Sequence, residues 1–148
     1  MGRRMGASIN KQYLQLAGKP ILAHTISRFE QHPRIDNIIV IIPEAEIPFC
    51  QAEVVDRFGY RKVSAVVAGG VERQDSVRNG LEALEAEDDD LVLIHDGVRP
   101  LFEDELVERM IDETLNHSAC LAGVPVKDTI KEVEGGQVVA TPARERLW

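Results

Sequence analysis

The sequence predicts an α/β fold with a mostly parallel sheet, and three observations carry that prediction. Short apolar runs typical of buried strands recur along the chain, and amphipathic helical stretches separate them. A Gly-Gly pair between two β-branched runs adds a hairpin near the carboxyl end. The length of 148 residues is typical of one domain with its own core, so we predict a single domain over residues 1–148.

The predicted elements alternate along most of the chain. The strand-like runs are Asn37–Ile42, Val63–Val67, Leu91–Ile94 and Cys120–Val124. The helical patterns are the stretch "KPILAHTISRFEQHP", which begins near Pro20, and the segments Ile47–Phe58, Ser76–Glu85 and Glu103–Asn116. Strands that alternate with helices favour crossover connections, and crossover connections make neighbouring strands parallel.

The pattern changes after the last predicted strand. Gly135 and Gly136 lie between the runs Thr129–Val133 and Val138–Thr141, and a glycine pair in that position is a strong hairpin signal. We predict a β-hairpin arm over about residues 126–145. Such an arm either projects to meet a partner subunit or forms a plain edge hairpin, and the sequence alone leaves both open.

Composition excludes several classes of function. Hydrophobic residues make up 44% of the chain, charged residues 28%, and the formal net charge is −8. This acidic balance argues against nonspecific nucleic-acid binding, but a local Arg and Lys cluster can still bind a small anion. No apolar run approaches about 18 residues, and no apolar segment follows Arg3 and Arg4 as in a signal peptide. We therefore expect a cytoplasmic protein without membrane or nucleic-acid partners.

The first candidate motif is the amino-terminal stretch "GRRMGASINKQYLQLAGKP". It contains Gly2, Arg4 and Lys11, and exposed backbone N–H groups together with basic side chains are what a triphosphate requires. The G-K-[ST] signature of a P-loop is missing. A plain basic tail explains the stretch equally well on its own.

The second motif, "AGGVERQDSVRNGL", places two glycines between a predicted strand and a predicted helix. Gly69 and Gly70 would let a flat ligand approach the backbone, and Arg73 supplies a cation. Ser76 is either a helix cap or a hydrogen-bond donor to a ligand.

The third motif, "LVLIHDGVRP", delivers Asp96 and Arg99 at the end of a predicted strand. Open α/β sheets bind ligands at the carboxyl ends of their strands, and an aspartate there can hold a divalent cation that neutralises phosphate charge. His95 is expected to be structural. An ordinary turn after a strand is the alternative explanation.

Six stretches, taken together and in order, resemble the 2-C-methyl-D-erythritol 4-phosphate cytidylyltransferase family: "GRRMG", "KQYLQLAGKPIL", "AGGVERQDSVRNGL", "LVLIHDGVRP", "GVPVKDTIKEV" and "TPARERLW". The resemblance implies a Rossmann-like three-layer nucleotidyltransferase fold with a protruding β-hairpin arm. It also implies transfer of CMP from CTP to 2-C-methyl-D-erythritol 4-phosphate with Mg²⁺. The products would be CDP-methylerythritol and pyrophosphate, in non-mevalonate isoprenoid biosynthesis.

The resemblance also implies residue roles. Arg4 and Lys11 would be the catalytic pair on the CTP phosphates, and Asp96 would bind the metal. The substrate-binding residues would be Gly2, Gly69, Gly70, Arg73, Ser76, Asp96, Gly97, Thr129 and Arg144. Thr129 and Arg144 would belong to an arm that forms a homodimer and serves the partner's acceptor site.

The chain departs from the family pattern in three places. A first strand before Gly2 and a late lysine and aspartate after Trp148 are missing, and Val71 stands where a polar residue is expected. We therefore expect the central part of a longer enzyme. The alternatives are a ribitol-5-phosphate cytidylyltransferase, which shares the scaffold, and a catalytically incomplete nucleotide-binding or dimerisation fragment.

Overall fold

A computed structural model describes residues 10–87 and 89–148 of the chain. The chain divides into two compact units, Met1–Glu108 and Arg109–Trp148. Two compact units can belong to one domain, so the single domain over residues 1–148 stays a prediction.

The described part of the first unit opens with a small hairpin that leads into a helix. A 3₁₀ turn at Lys11–Tyr13 precedes strands β1 (Gln15–Leu16) and β2 (Lys19–Pro20), which pair antiparallel. Helix α1 (Ile21–Gln31) follows directly and confirms the predicted first helix. Its buried residues recur at helical spacing and form one face: Leu22, Ala23, Thr25, Ile26 and Phe29.

Two parallel strands follow and confirm the predicted parallel pairing. Strand β3 (Ile38–Ile42) pairs with β4 (Val63–Ala68), and Ile42 stands opposite Ala68 at their carboxyl ends. The runs are rich in Val and Ile, whose branched side chains favour strands. The carboxyl ends of both strands therefore lie at the same edge.

The connection between these strands supplies much of the core. A 3₁₀ turn at Glu44–Glu46 precedes α2 (Ile47–Cys50), which continues into a π-helical segment at Gln51–Asp56. The predicted helix Ile47–Phe58 is thus present, with a wider turn in its middle. The buried core draws on the turn Lys11–Tyr13, on α1, on β3 and on the connection between β3 and β4. Its residues are Tyr13, Leu22, Ala23, Ile26, Val40, Ile42, Cys50 and Val54.

Helix α3 (Arg73–Glu82) begins three residues before its predicted start at Ser76. The reason is local, because the carboxylate of Asp75 accepts the backbone N–H of Glu72 at 3.1 Å, as in a capping box. The helix packs closely on β3. A Cβ added at Gly80 would lie 2.4 Å from Cδ1 of Ile41, so only glycine permits this approach without rearrangement.

Helix α4 (Asp104–His117) lies within one residue of its predicted bounds at each end. Its first turn carries Asp104 and Glu105, and negative charge there complements the helix dipole. Arg28 on α1 donates to the carboxylate of Asp104 at 2.8 Å.

The second unit contains the predicted hairpin. Strands β5 (Glu132–Glu134) and β6 (Gln137–Ala140) pair antiparallel, and Gly135 and Gly136 have φ angles of 54° and 82°. Positive φ at both central residues is typical of a type I′ turn, which matches the twist of the strands. The backbone N–H of Val126 donates to the carbonyl of Leu147 at 3.0 Å and joins the two ends of this segment.

Two predicted strands are wrong. Neither Leu91–Ile94 nor Cys120–Val124 is paired as a strand within the described ranges 10–87 and 89–148. Leu91 and Ile94 are 45% and 55% exposed, and Leu121 is 92% exposed. A strand forms only where its backbone is hydrogen-bonded to a neighbouring strand. An apolar run in the sequence does not show whether such a neighbour exists.

The prediction of an α/β fold with parallel pairing is confirmed. In the parts of the chain that the structure describes, no helix has the length and apolar character needed to cross a membrane.

Candidate functional site

The predicted phosphate-binding residues divide between described and undescribed parts of the chain. Gly2 and Arg4 lie outside the described residues. Lys11 begins the 3₁₀ turn Lys11–Tyr13 and is exposed. Backbone hydrogen bonds hold this turn, from Tyr13 N–H to Asn10 O at 3.0 Å and from Leu14 N–H to Lys11 O at 3.3 Å.

The glycine turn after β4 is shaped by the first turn of α3. A Cβ added at Gly69 would lie 2.9 Å from Oγ of Ser76, and one added at Gly70 would lie 2.1 Å from Cβ of Asp75. Gly70 is therefore required by the chain's own packing, whatever ligand approaches the turn. A side chain at Gly69 would instead displace the Ser76 hydroxyl.

Ser76 fastens this turn from the helix. Its hydroxyl accepts the backbone N–H of Gly70 at 3.0 Å and donates to the carbonyl of Glu72 at 3.2 Å. The hydroxyl thus bonds at once to the glycine turn and to Glu72, the residue that precedes α3. The predicted role of Ser76 as a helix cap is wrong, because α3 begins at Arg73 with Glu72 as its N-cap and Ser76 lies inside the helix. A ligand contact by Ser76 stays a prediction.

Asp96 joins the second and third motifs. Its carboxylate lies 3.3 Å from Nη1 of Arg73 and 2.8 Å from Nε of Arg99. The first contact links the amino end of α3 to the turn "HDGVRP", so two predicted binding segments meet. Each carboxylate oxygen faces a different guanidinium, which concentrates positive charge around one aspartate.

Helix α1 supports the turn that carries Asp96. The hydroxyl of Thr25 donates to the carbonyl of Gly97 at 2.9 Å, and a Cβ added at Gly97 would lie 3.0 Å from Cδ1 of Leu22. Gly97 thus lies tightly against the helix. Thr25 is 3% exposed, and its role could not be predicted because a threonine on an apolar helix face gives no functional signal.

His95 has the structural role that the sequence predicted. Its ring packs against Phe29 and Phe102, with centroids 5.0 Å apart in both pairs. Burial lowers the pKa of His95, Asp96 opposes this effect, and Arg99 adds to it. A neutral, aromatic-packed imidazole fixes the start of the turn.

Thr129 and Arg144 lie in the second unit. Thr129 is exposed and precedes β5. Arg144 begins the 3₁₀ turn Arg144–Arg146, and its guanidinium donates to the carbonyl of Lys127 at 3.0 Å. This contact places Arg144 at the base of the hairpin, beside the segment that leads into β5.

Asp96 is the residue predicted to hold a metal ion. Among residues 10–87 and 89–148, no three His, Cys, Asp or Glu side chains are grouped as a metal site. A single carboxylate nevertheless suits Mg²⁺, which often binds one or two carboxylates plus substrate phosphates and water. Asp96 fits such a site if Arg73 or Arg99 releases it, and exposed ion pairs of this kind cost only about 0–1 kcal/mol to break.

A cavity of about 250 Å³ lies elsewhere in the first unit. Its lining residues are Leu16, His24, Arg28, Pro100, Leu101 and Phe102. None of the predicted site residues lines it, so we assign it no part in the candidate site.

The fold and the site define a class of protein. Parallel strands lead into a glycine turn capped by a helix, and a carboxylate with two arginines stands beside that helix. This arrangement is typical of Rossmann-like α/β nucleotidyltransferase folds, in which ligands bind at the carboxyl ends of parallel strands.

The chain belongs to the 2-C-methyl-D-erythritol 4-phosphate cytidylyltransferase (IspD) family, whose sequence model matches residues 1–148. Curated relatives that carry the name of that enzyme are similar to this chain over its whole length. The protein from Syntrophotalea carbinolica is 57% identical over 148 residues, which are 100% of this chain and 64% of the relative. The protein from Geotalea uraniireducens is 58% identical over 149 residues, again 100% of this chain and 64% of the relative.

Solved structures show the same fold. A 4-diphosphocytidyl-2C-methyl-D-erythritol synthase from Anaerococcus prevotii matches with a TM-score of 0.80 and 28% identity, over 96% of this chain and 61% of that chain. A crystal structure of another such synthase matches with a TM-score of 0.75 and 30% identity, over 93% and 66%. The chain therefore spans somewhat less than two thirds of the length of the first curated relatives.

Proposed function

We propose that this chain is the nucleotide-binding part of an enzyme that transfers CMP from CTP to 2-C-methyl-D-erythritol 4-phosphate. The observation that carries the proposal is the family match over residues 1–148, together with relatives of that name at 57% and 58% identity. The step belongs to non-mevalonate isoprenoid biosynthesis. The cytoplasmic location stays a prediction.

In the proposed reaction a phosphate oxygen of the acceptor attacks the α-phosphorus of CTP. A new P–O bond forms, the bond to the β-phosphate oxygen breaks, and pyrophosphate leaves with that electron pair. An ionised phosphate needs no base to become a nucleophile. Catalysis then consists of positioning and charge stabilisation, which explains why a Ser–His or Cys–His pair is not needed.

The predicted site residues would divide this work between two groups. Lys11, with Arg4, would stabilise charge on the transferring phosphoryl group. Gly69, Gly70, Arg73, Ser76 and Gly97 would bind the nucleotide, and Gly2 would belong to the phosphate loop. The support for this grouping is that Arg73 and Asp96 are in contact although they belong to separate motifs.

Mg²⁺ is the cofactor that we propose, with Asp96 as its protein ligand. When bound, the ion would neutralise phosphate charge. Arg73 and Arg99 would then turn from the carboxylate towards the phosphates, because each guanidinium can pair with either anion.

We propose further that the hairpin forms a homodimer and that Thr129 and Arg144 hold the acceptor in the partner's site. The support is the exposure of the arm. Val133 and Val138 are 54% and 61% exposed, and a two-stranded arm is marginally stable unless it packs on another surface. An identical arm related by two-fold symmetry would supply one.

The test compares this chain with an extended form, in which the flanking segments of the Syntrophotalea carbinolica relative are added to it. We expect the extended form to release pyrophosphate from CTP with 2-C-methyl-D-erythritol 4-phosphate, and much less with ribitol 5-phosphate. Release only with ribitol 5-phosphate would favour the alternative acceptor. Nucleotide binding without release would favour a noncatalytic module.

The sharpest substitution in the extended form is Lys11→Ala. We expect kcat to fall by about 100-fold, as when one group that stabilises transition-state charge is removed, with a smaller change in KM for CTP. Arg57→Ala is the matched control, because Arg57 is an exposed cation outside the candidate site whose guanidinium pairs with Glu53 at 3.0 Å. A rise in KM at unchanged kcat would make Lys11 a ground-state ligand instead.

A further inference from the structure

Glu46 binds the residues on both sides of Lys11. One oxygen of its carboxylate accepts a hydrogen bond from the side-chain amide of Asn10, and the other accepts one from Nε2 of Gln12 at 2.7 Å. These contacts cross 36 and 34 positions of sequence. One carboxylate therefore holds the two neighbours of the proposed catalytic lysine.

Tyr13, the last residue of the same turn, fixes the turn to the core. Its side chain is buried in the core, and its ring meets Phe49 edge-on with centroids 4.8 Å apart. Burial raises the pKa of Tyr13, and the nearby Cys50 and Glu46 raise it further. The phenol therefore stays protonated at neutral pH, and it adds no charge that would disturb the carboxylate beside it.

Lys11 itself is left outside this set of contacts. Its side chain is exposed, and no carboxylate of residues 10–87 and 89–148 forms an ion pair with its ammonium group within 4.0 Å. A 3₁₀ turn advances about 120° per residue, so successive side chains leave it in different directions. Fixing Asn10 and Gln12 thus orients the backbone of Lys11 while its ammonium group stays available.

Glu46 lies at the edge of the sheet where the carboxyl ends of β3 and β4 meet. It lies in the turn that follows β3, and its backbone N–H donates to the carbonyl of Pro43 at 2.9 Å. Since β3 and β4 are parallel, this turn and the glycine turn at Gly69 leave the same edge of the sheet. That edge is where α/β folds bind their ligands.

We propose that Glu46 is a positioning residue, which holds the Lys11 turn at the ligand-binding edge by binding Asn10 and Gln12. The proposal rests on the proposed function, because it assigns Lys11 to the transferring phosphoryl group. Small displacements of such a group are costly, since a misplacement of about 1 Å can reduce the rate by about 100-fold.

The first test is a double-mutant cycle in the extended form, with pyrophosphate release as the assay. Glu46→Ala should lower kcat about tenfold with KM for CTP changed by less than about twofold. Added to Lys11→Ala, the same substitution should cause no further loss, because its effect passes through the lysine. Glu46→Gln keeps one acceptor oxygen and should fall between the wild type and Glu46→Ala.

Glu44→Ala is the matched control. Glu44 belongs to the same 3₁₀ turn and is exposed, so removing its carboxylate tests for a general effect of charge at this edge. We expect wild-type kcat. An equal loss in Glu44→Ala, or a full tenfold further loss when Glu46→Ala is added to Lys11→Ala, would overturn the inference.

The second test needs no turnover and uses the chain itself. Hydrogen exchange at the amides of Tyr13 and Leu14 reports the turn directly, because both amides donate within it. Glu46→Ala should speed their exchange about tenfold or more, and Glu44→Ala should not. Unchanged exchange in Glu46→Ala would overturn the inference.

The two tests separate the possible failures. If Lys11→Ala retains wild-type kcat, the role of Lys11 in the proposed function fails and the inference fails with it. If Lys11→Ala is impaired but Glu46→Ala adds its full effect to it, only the inference fails.

Discussion

Two regions of the molecule differ greatly in burial. One carries the residues proposed to bind the nucleotide, and the other carries those proposed to bind the acceptor. Lys11, Gly69 and Asp96 belong to the unit that contains the buried core. Thr129 and Arg144 belong to Arg109–Trp148, a range that is fully described and in which no residue is buried. The region around Lys11, Gly69 and Asp96 can therefore be held by its own packing, whereas residues 109–148 contain no buried side chain that would hold Thr129 and Arg144 in the same way.

The same difference is visible in the contacts of single residues. Gly97 lies against α1 and receives a hydrogen bond from the buried Thr25. Arg144 is held by one exposed hydrogen bond to Lys127. Exposed contacts of this kind are lost easily, since their groups can bond to water instead.

The largest expected effect is on the free energy of unfolding. An isoleucine changed to alanine in each of the two regions measures it. Ile26→Ala, at a residue 3% exposed, should lower the free energy of unfolding by about 2–5 kcal/mol. Ile130→Ala, at a residue 41% exposed, should lower it by less than about 0.5 kcal/mol in the monomer. Urea denaturation of the chain at low concentration compares the two.

Equal losses at the two positions would contradict the comparison. A loss at Ile130 that appears only at high protein concentration would sharpen it, because association stabilises the folded state more as the protein concentration rises. That result would place Ile130 at an interface between two copies.

The next effect tests the proposal that Arg144 serves the active site of the partner subunit. The extended forms of Arg144→Ala and Asp96→Ala should each be inactive. After their subunits exchange in an equal mixture, activity should return to about a quarter of the wild type, because half of the dimers are mixed and each holds one intact site. Pyrophosphate release with 2-C-methyl-D-erythritol 4-phosphate is the measurement.

Exchange must be shown independently, with two differently labelled subunits. No recovery after proven exchange would place Arg144 in the site of its own subunit. A monomer by light scattering would remove the interface, and the acceptor side would then have to be ordered in another way.

The smallest expected effect is a change in the pH dependence of stability. Burial lowers the pKa of His95 from its ordinary value of 6.5, so the folded protein binds this proton less readily than the unfolded chain does. The stability from neutral His95 is complete above pH 6.5 and is lost as the pH falls towards the folded pKa. His95→Phe keeps the packing on Phe29 and Phe102 and should flatten this loss.

Denaturation curves at several pH values between 6.5 and about 5 measure that slope. A wild-type slope in His95→Phe would show that other groups control stability in this range. It would also weaken the assignment of His95 to the packed scaffold under Asp96.

Several elements were predictable because their signals are local. The apolar spacing of α1 and α4 fixed both helices to within about a residue or two of their observed ends, since helical periodicity needs no distant partner. The hairpin was predictable from Gly135 and Gly136, which alone supply the positive φ values of its turn.

The site was predictable only in its parts. The motifs named Arg73 and Asp96 separately, but nothing in either motif stated that they meet at 3.3 Å. Thr25 and Glu46 were missed altogether, because a threonine on a helix and a glutamate in a turn are ordinary residues until their distant partners are known.

The sequence by itself determined the helices, the parallel pair, the hairpin turn and the family. Tertiary structure alone decided that Leu91–Ile94 lacks a partner strand among the described residues, that Gly70 is enforced by α3, and that Glu46 binds Asn10 and Gln12. The physical reason is range. Periodicity and backbone dihedral angles depend on neighbouring residues, whereas strand pairing, close packing and side-chain contacts depend on segments that only the folded chain brings together.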